Sequence, residues 1–166
     1  MKKTTILASV LLLATSQAQA WQGNVTVQTP NIQMLLHANE GQDLRMAYFG
    51  SKTASLQEVN DAGDNLNFPA LPAFGTVDAV HLPALQVQHA NGDQNLELQV
   101  TGYETTNEAN AVVHTITMQD RLMPFTVKVC YKAYRDVDII ETWTLIEHQE
   151  KRAVTLKRYD SGHLTI

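Results

Sequence analysis

The stretch that decides the fold is Phe125-Thr126-Val127-Lys128-Val129-Cys130-Tyr131-Lys132. Apolar residues occupy every second position, so one face of an extended strand is apolar while the other carries hydroxyl, thiol and ammonium groups. The preceding segment, Val112 to Met118, alternates in the same way. This period of two is typical of an antiparallel sheet that packs one face on a core and leaves the other in water.

Further strands are predicted on both sides of this stretch, each bounded by turn-forming residues. They cover residues 24–29, 32–38, 43–49, 85–90 and 96–104 before it, and residues 139–148 and 153–157 after it. Asn91-Gly92 predicts a hairpin between 85–90 and 96–104, since both residues tolerate positive φ. Residues 139–148 carry apolar side chains on both faces, which predicts a central strand between two packed layers. The sum is an all-β fold, an antiparallel sandwich of about ten short strands.

One segment favours a helix. Ser55-Leu56-Gln57-Glu58 has the spacing of a capping box, and Gly63 is placed to end the helix, so a short helix is predicted near Leu56–Ala62. The connection from Asp64 to Pro83 is long enough to be either a functional loop or a surface that docks elsewhere. No internal repeat or low-complexity tract divides the chain, and residues 21–166 are predicted to form one domain.

The first twenty residues have the features of an export signal. Lys2 and Lys3 precede an apolar run from Ile6 to Ala14, and Ala18-Gln19-Ala20 supplies the small residues that a signal peptidase accepts. A buried N-terminal helix of a cytosolic protein is the competing interpretation, but charge, apolar core and cleavage pattern occur in the order that export requires. We therefore expect residues 1–20 to be removed, and the mature chain to be periplasmic or extracellular in a bacterial-type cell.

The composition restricts the partners that the chain can bind. Its net charge is −5, and loss of Lys2 and Lys3 with the signal makes the remainder more acidic. Nucleic acids and anionic membranes are therefore unsuitable partners, since phosphate binding needs clustered Lys and Arg. Cys130 is the only cysteine, which excludes an internal disulfide. No residue pattern indicates a metal site or another cofactor, and we expect none.

Candidate acids, bases and metal ligands are scattered along the sequence. Asp136, Asp138 and Glu141 are close together, but neighbours before a strand rarely converge across a cleft, so a turn explains them better. The histidines are His37, His81, His89, His114, His148 and His163, and none forms a pair at the short spacing typical of zinc sites. We expect them to be ordinary surface or half-buried residues.

Cys130 and the tryptophans are better explained by packing than by chemistry. Two lysines flank Cys130 on one strand face, but no histidine or helix N-terminus accompanies them, so a packed thiol is predicted. Trp143 and Tyr131 lie on apolar faces and are assigned to the core. Trp21 is the freest aromatic residue, and we expect poor order there because it follows the cleavage site.

A series of short motifs has an order that is more specific than any one of them. The motifs are Tyr48-Phe49-Gly50, Leu71-Pro72-Ala73-Phe74-Gly75-Thr76-Val77-Asp78, Leu82-Pro83-Ala84-Leu85-Gln86-Val87, His89-Ala90-Asn91-Gly92, Val129-Cys130-Tyr131-Lys132-Ala133-Tyr134, Asp138-Ile139-Ile140-Glu141-Thr142-Trp143 and Leu156-Lys157-Arg158-Tyr159-Asp160-Ser161. In this order the chain resembles the N-terminal domain of family-36 glycoside hydrolases, the α-galactosidases. The resemblance implies structural or interface roles for Tyr48, Gly50, Phe74, Gly75, Asp78, Pro83, Ala84, Tyr131 and Trp143.

The resemblance also implies an architecture, a β-supersandwich ahead of a (β/α)8 catalytic barrel. The full enzymes release terminal α-linked galactose from raffinose- or melibiose-type substrates with retention, using two aspartates that both lie in the barrel. No catalytic residue of the family therefore has a counterpart in this chain. The implied partners are the barrel and, in a homo-oligomer, further copies of the chain. The arginine that many members have after the position of Asp78 is missing here, and Glu58, Asp61 and Asp64 occupy the loop in which some members place a sugar-contacting aspartate.

Three hypotheses about function are open at this point. The first, favoured by the motifs, is the N-terminal, non-catalytic part of a secreted α-galactosidase, ending at Ser161–Ile166 in a predicted strand before the barrel. It predicts an exposed apolar flank near the C-terminus. The second is a free-standing carbohydrate-binding β-sandwich module, with an exposed aromatic platform or polar cleft. The third is a mutarotase-like sugar epimerase, which needs a histidine and a carboxylate converging on a sugar ring.

Overall fold

The structure, a computed structural model, describes residues 20–52, 58, 68–75 and 82–160. Ten β-strands are found within these ranges. They are β1 (Gly23–Gln28), β2 (Ile32–Ala38), β3 (Arg45–Ser51), β4 (Phe68–Pro69), β5 (Leu85–Gln88), β6 (Leu98–Asn107), β7 (Ala111–Asp120), β8 (Phe125–Tyr134), β9 (Ile140–His148) and β10 (Thr155–Tyr159).

The described strands form three antiparallel sheets. One has the order β1-β2-β3-β4, a second has the order β6-β7-β8-β9, and β10 pairs with β5 in a two-stranded sheet. The register of β7 on β8 is unbroken from the Ala111–Tyr134 pair to the Gln119–Thr126 pair, so the apolar residues of the two strands stay on one face. The predicted all-β class with antiparallel sheets is confirmed.

One hydrophobic core joins the three sheets. Val27 of β1, Val87 of β5 and Val127 of β8 are fully buried and belong to the same cluster. Each occupies an inward position of an alternating strand, which is how the period of two in the sequence becomes burial. A fully buried valine contributes on the order of 1.5 kcal/mol relative to an exposed one, so such positions hold the sheets together.

The prediction that residues 139–148 form a central strand is wrong. β9 pairs with β8 alone and is the last strand of its sheet in the described part of the chain. None of its nine residues is fully buried, although Ile140 and Ile146 pack against the core. Apolar side chains on both faces indicated two covering layers, but only the face continuous with the inner side of β8 meets the core.

The hairpin predicted at Asn91-Gly92 is also not formed. A turn is present, with Gly92 at φ +93° and its N–H donating to His89 O at 2.9 Å. However, β5 pairs with β10 and not with β6. Residues 93–97 have no strand structure, and Leu96 N donates instead to Phe74 O at 3.0 Å. The turn therefore redirects the chain without closing a ladder.

Trp21 is held by a backbone hydrogen bond and by aromatic packing, although its position after the predicted cleavage site led us to expect poor order. Its N–H donates to Val100 O at 2.9 Å, and its ring lies 5.7 Å from that of Tyr103 at a tilt of 50°. The side chain also packs against the core. Aromatic burial therefore anchors the start of the described chain on β6, where a poorly ordered terminus was expected.

Some predicted features lie outside the described residues. The predicted signal peptide covers residues 1–20, of which only Ala20 is described, and the segment Ser161–Ile166 follows the last described residue. The helix predicted at Leu56–Ala62 also falls outside, except for Glu58, which is helical. Within the described ranges, no helix has the length and apolar character needed to cross a membrane.

Candidate functional site

Two of the resemblance motifs meet at one point, which we call the motif junction and which comprises Pro72, Ala73, Phe74, Ala84 and Leu85. Ala84 N donates to Pro72 O at 2.7 Å, and Phe74 N donates to Leu85 O at 3.0 Å, beside a parallel bridge between Ala73 and Leu85. Ala73, Ala84 and Leu85 are buried, whereas Phe74 is exposed. The junction thus ties the segment before β5 to β5 through backbone hydrogen bonds, which is a structural arrangement.

Gly75 is required by the close packing beside this junction. Its φ is +98°, a conformation that residues with a Cβ rarely adopt, and an added Cβ would lie 2.8 Å from Asn95 Cα. Pro83 is half-buried on the other side of the junction, and Asp160 N donates to Ala84 O at 2.8 Å. The chain after β10 is therefore held at the same point. Asp78 lies outside the described residues.

Tyr48 and Gly50 form a local packing unit on β3. The Tyr48 hydroxyl donates to Ser51 O at 3.0 Å, and an added Cβ at Gly50 would lie 2.6 Å from the hydroxyl oxygen. The missing side chain at Gly50 therefore lets the tyrosine ring lie back along its own strand. This geometry accounts for the pair by packing, without a ligand.

Tyr131 and Trp143 lie on opposite faces of the sheet that contains β8. Tyr131 is buried in the core, and burial holds the pKa of its phenol well above the ordinary value. Trp143 pairs with Cys130 on the outer face and is half-buried. The assignment of Trp143 to the core is therefore wrong, because no second layer of the described residues covers the outer face of the edge strand β9.

The acidic residues between β8 and β9 order a turn, in agreement with the interpretation of their spacing. Asp138 accepts 2.8 Å hydrogen bonds from Thr29 Oγ1 and from the backbone and side-chain N–H groups of Asn31, and these bonds lower its pKa. Asp136 accepts a 2.8 Å hydrogen bond from the Asn110 side chain. Their partners are hydroxyl and amide groups, so the two carboxylates do not form an acid/base pair.

Two histidines are more buried than predicted. His89 is 2% exposed and His114 is 7% exposed. The others are His37, which is half-buried, His148, which is exposed, and His81 and His163, which lie outside the described residues. His114 occupies an inward position of β7, opposite Tyr131 of β8. A residue at an inward position of a strand is buried whatever its type. The alternation of His114 with apolar neighbours in the sequence could therefore have predicted its burial.

His89 and Glu150 form a buried pair that the sequence did not reveal. His89 Nδ1 lies 2.7 Å from Glu150 Oε1, and Ala90 N donates to Glu150 Oε2 at 2.8 Å. The two side chains are 0% and 6% exposed. Burial opposes the charged form of Glu150, but the hydrogen bonds from His89 and Ala90 outweigh it and lower the pKa of this carboxyl. The pair fastens the turn after β5 to the segment after β9.

This pair is not placed to act on a sugar. The His89 ring packs edge-on against Phe125 with 5.6 Å between ring centroids, and its buried Nε2 has no hydrogen-bond partner among the described residues. A mutarotase-like enzyme needs an acid and a base that reach a sugar across an open cleft. Both side chains are enclosed, so the geometry favours a structural clamp over the epimerase hypothesis.

Cys130 is a packed thiol, as its surroundings in the sequence indicated. It is buried, burial raises the pKa of the thiol, and Thr115 Oγ1 lies 3.8 Å from the sulfur. A nucleophilic cysteine requires a lowered pKa and access to solvent, and Cys130 has neither. The described residues also contain no group of three or more His, Cys, Asp or Glu side chains that could hold a metal ion.

Exposed apolar side chains concentrate near the C-terminal end of the described chain. Nine large hydrophobic side chains are exposed in the described residues, and five of them belong to residues 137–159. We call these five the C-terminal flank: Val137, Ile139, Leu145, Leu156 and Tyr159. The Tyr159 hydroxyl donates to Thr144 O at 3.2 Å, so β10 adjoins β9. An apolar flank in this region is what the first hypothesis predicted.

Comparisons with known proteins give a consistent result. The profile of the glycosyl hydrolase family 36 N-terminal domain matches residues 42–166. No curated protein sequence matches the chain. Solved structures of α-galactosidases share the fold. A family-36 α-galactosidase variant from Geobacillus stearothermophilus, in complex with 1-deoxygalactonojirimycin, has a TM-score of 0.74 at 17% identity, with 84% of this chain and 24% of that one covered.

Two other such structures give similar values. An α-galactosidase from Lactobacillus brevis has a TM-score of 0.71 at 17% identity, with 84% of this chain and 23% of that one covered. The galactosidase domain of an α-galactosidase–sucrose kinase has a TM-score of 0.71 at 18% identity, with 82% of this chain and 24% of that one covered. The chain therefore spans about a quarter of the length of these structures, and what it shares with them is the fold.

Proposed function

Because this chain belongs to the family of glycosyl hydrolase family 36 N-terminal domains, we propose that it is the non-catalytic β-sandwich domain of a secreted, retaining α-galactosidase. The observation that carries the proposal is the match of residues 42–166 to that domain. In such an enzyme the domain, residues 21–166, supports a (β/α)8 barrel that hydrolyses terminal α-galactosides of raffinose or melibiose type.

Two acidic groups of the described residues, Asp138 and Glu150, have structural roles. Retaining glycosidases use two carboxyl groups about 5–5.5 Å apart on either side of the scissile bond. Asp138 is bonded to Asn31, Glu150 is bonded to His89 inside the protein, and neither faces a second carboxylate in a cleft. On the family match we assign the reacting groups to the barrel and a supporting role to this domain.

The C-terminal flank is the surface that we assign to contact with the barrel. Soluble proteins rarely leave several large apolar side chains exposed in one region unless another surface covers them. β9 also leaves one of its edges unpaired among the described strands, and such edges are normally covered or protected. Apolar side chains of the barrel would bury Leu145 and Leu156 and exclude water from this side of the sheet.

Export is a separate part of the proposal and is supported by the order of charge, apolar run and small residues within residues 1–20. We expect cleavage after Ala20 when the chain is produced in a bacterial host. N-terminal sequencing of the exported protein checks this, with Trp21 as the expected first residue. An intact N-terminus in the cytoplasm would contradict export and leave the family membership unchanged.

An activity assay tests whether the chain is non-catalytic. The purified chain is incubated with p-nitrophenyl α-galactoside, and no nitrophenol release above the buffer blank is expected. Release by the chain alone would overturn the proposal. Calorimetry with galactose, melibiose and raffinose on the same preparation distinguishes the binding-module hypothesis from the supporting-domain proposal. Saturable heat with these sugars would favour that second hypothesis over a supporting domain.

Association with a barrel tests the assigned surface. The coding sequence that follows residue 166 is read for a (β/α)8 barrel, and the encoded barrel is mixed with the chain. Leu145→Glu and Leu156→Glu are expected to weaken association at least about tenfold, because each places a charge in an apolar contact. Leu122→Glu is the matched control, since Leu122 is 70% exposed and lies outside the flank. Absence of a barrel, or equal effects of all three substitutions, contradicts the proposal.

A further inference from the structure

A polar groove opens beside β1, and the proposed function uses none of its residues. Its volume is about 440 Å³, and its walls include Thr26, Gln28, Thr29, Lys52, His114 and Arg135. No carboxylate of the described residues lines it, although Asp and Glu outnumber Lys and Arg in the whole chain by 17 to 12. The described lining therefore carries two permanent positive charges, on Lys52 and Arg135, and no negative one.

Both permanent cations of the groove are available to a ligand. Lys52 Nζ lies 3.5 Å from Thr29 O, longer than a normal hydrogen bond. Arg135 donates from Nη2 to Asn107 Oδ1 at 2.8 Å, a neutral partner. Neither cation forms an ion pair with a carboxylate of the described residues, unlike Lys132, whose Nζ lies 2.8 Å from Glu108. Within the described ranges, therefore, no carboxylate neutralises their charges by ion pairing.

The His114 ring also lines the groove, and a neighbouring phenol contacts it. Its Nδ1 lies 2.8 Å from the Tyr103 hydroxyl, and the two rings are stacked with 6.1 Å between centroids. Burial raises the pKa of Tyr103 and lowers that of His114, so a neutral phenol faces a neutral imidazole. When the phenol donates to Nδ1, the imidazole proton resides on Nε2. Nε2 makes no hydrogen bond with the described residues, and the ring lines the groove.

Asp138 carries a negative charge that opposes the binding of an anion in the groove, because it is hydrogen-bonded to Thr29 in the groove wall. Its oxygens accept three 2.8 Å hydrogen bonds, one from Thr29 Oγ1 and two from Asn31. These bonds direct its lone pairs toward the turn between β1 and β2, and the side chain is exposed, so water screens its charge. The described lining of the groove thus holds two cations and the His114 ring, with Asp138 hydrogen-bonded to Thr29 in its wall.

We propose that this groove binds a small ligand through an oxyanion, a carboxylate or a phosphate, with Lys52, Arg135 and the His114 Nε2–H as donors. The three groups assigned to the charged part of the ligand are donors, which selects an anion over a neutral sugar there. The threonine hydroxyls and the Gln28 amide are suited to hydroxyl groups next to the charge. The proposal stands apart from the supporting role of the domain, and its failure leaves that role unaffected.

A titration followed by ¹H–¹⁵N NMR on the purified chain tests the proposal. Inorganic phosphate and galacturonate are the two anionic probes, and galactose is the uncharged match for galacturonate. Saturable shifts at Thr26, His114 and Arg135 are expected with an anion and not with galactose, and they weaken when NaCl is raised from about 20 to about 200 mM. Binding of one anion alone identifies the ligand as a sugar acid or a phosphate. No saturable shift with either anion, or equal shifts with galactose, overturns the proposal.

Substitutions locate the site. Lys52→Met and Arg135→Met are each expected to weaken binding about three- to fivefold, and the double variant about tenfold or more. Lys151→Met is the matched control, because Lys151 is exposed and does not line the groove. Tyr103→Phe keeps the ring and removes the phenol proton, so it is expected to lower affinity and to change the His114 ¹⁵N shifts that report the tautomer. Equal affinity of the double variant and the control would overturn the proposal.

Discussion

β8 and β9 are neighbours in one sheet, and both carry several apolar residues, yet their burial is opposite. Six of the ten residues of β8 are buried, whereas none of the nine residues of β9 is. The two strands are paired without a break from Phe125–His148 to Ala133–Ile140. The difference therefore arises from position in the sheet, because β8 lies between two strands and β9 has only one neighbour among the described strands.

This contrast shows that an apolar side chain indicates a requirement for burial, but it does not indicate which residues will cover it. The inner face of β8 meets that requirement within the described residues, through β1, β5 and β7. Leu145 and Trp143 of β9 meet it only in part, since Leu145 is 45% exposed. Edge strands of soluble proteins are normally short, charged or covered. β9 is long, which is why we assign it to an interface.

The largest expected effect is loss of a core side chain from β8. Phe125→Ala removes a ring that is 1% exposed and leaves a cavity, so the free energy of unfolding should fall by about 3–5 kcal/mol. Urea denaturation of the purified chain measures it. A loss below about 1 kcal/mol would show that β8 is no better packed than β9, and the comparison would fail.

The second effect concerns the His89–Glu150 clamp, which holds the segment after β9. Glu150→Gln keeps the shape but removes the charge that His89 and Ala90 N contact, so a loss of about 1.5–3 kcal/mol is expected at neutral pH. The lowered pKa of Glu150 means that its contribution is present above the ordinary value of 4.5 and is lost as pH falls through the folded pKa.

The measurement for this variant is the unfolding free energy of both proteins across that range of pH. The difference between wild type and Glu150→Gln should shrink as the pH falls below about 4.5. Glu147→Gln is the control, because Glu147 is exposed and its contact with Lys128 is 3.6 Å long. A difference that is independent of pH would show that the charge of Glu150 does not act in the clamp.

A smaller effect is expected at Trp143, which covers β8 from the outer face. Trp143→Ala should lower the unfolding free energy by about 1 kcal/mol, since the side chain is half-buried. The substitution also uncovers Cys130, its cross-strand partner, which is 2% exposed in the intact protein. Faster labelling of Cys130 by a thiol reagent under native conditions is the expected readout. Unchanged labelling would mean that other groups shield the thiol.

The smallest effect is expected at Leu145 in the isolated chain. Leu145→Ser should change the free energy of unfolding by no more than about 0.5 kcal/mol, because almost half of this side chain is already in water. The same substitution in a chain joined to its barrel is expected to cost more, since the contact would then be buried. Equal small effects in both settings would contradict the assignment of β9 to an interface.

Local patterns predicted the strands well and their partners poorly. The alternation in residues 125–132 predicted β8 and its buried face, and both are observed. The turn at Asn91-Gly92 also exists, yet β5 pairs with β10 across about 70 residues of chain and not with β6. Turn propensity depends on two residues, whereas strand pairing depends on which apolar faces close a common core.

The candidate site residues show the same difference: some were predicted from their sequence neighbours and others were not. The thiol at Cys130 and the turn carboxylates at Asp136 and Asp138 were predicted from their neighbours in the sequence. The His89–Glu150 pair was not, because its members are 61 residues apart and neither has a distinctive neighbour. The polar groove likewise gathers Lys52, His114 and Arg135 from separate segments. Such contacts exist only after the sheets have packed.

The sequence by itself determined the all-β class, the inward face of the central strands and the resemblance to a glycosidase domain. The first two depend on residues close together in the chain, and the third depends on the order of short motifs. Only the tertiary structure decided that β9 is an edge strand among the described strands, that His89 and His114 are buried and that the cations at Lys52 and Arg135 share a groove. The physical reason is that side-chain alternation is set residue by residue, whereas sheet order and burial are set by the closure of distant segments around one core.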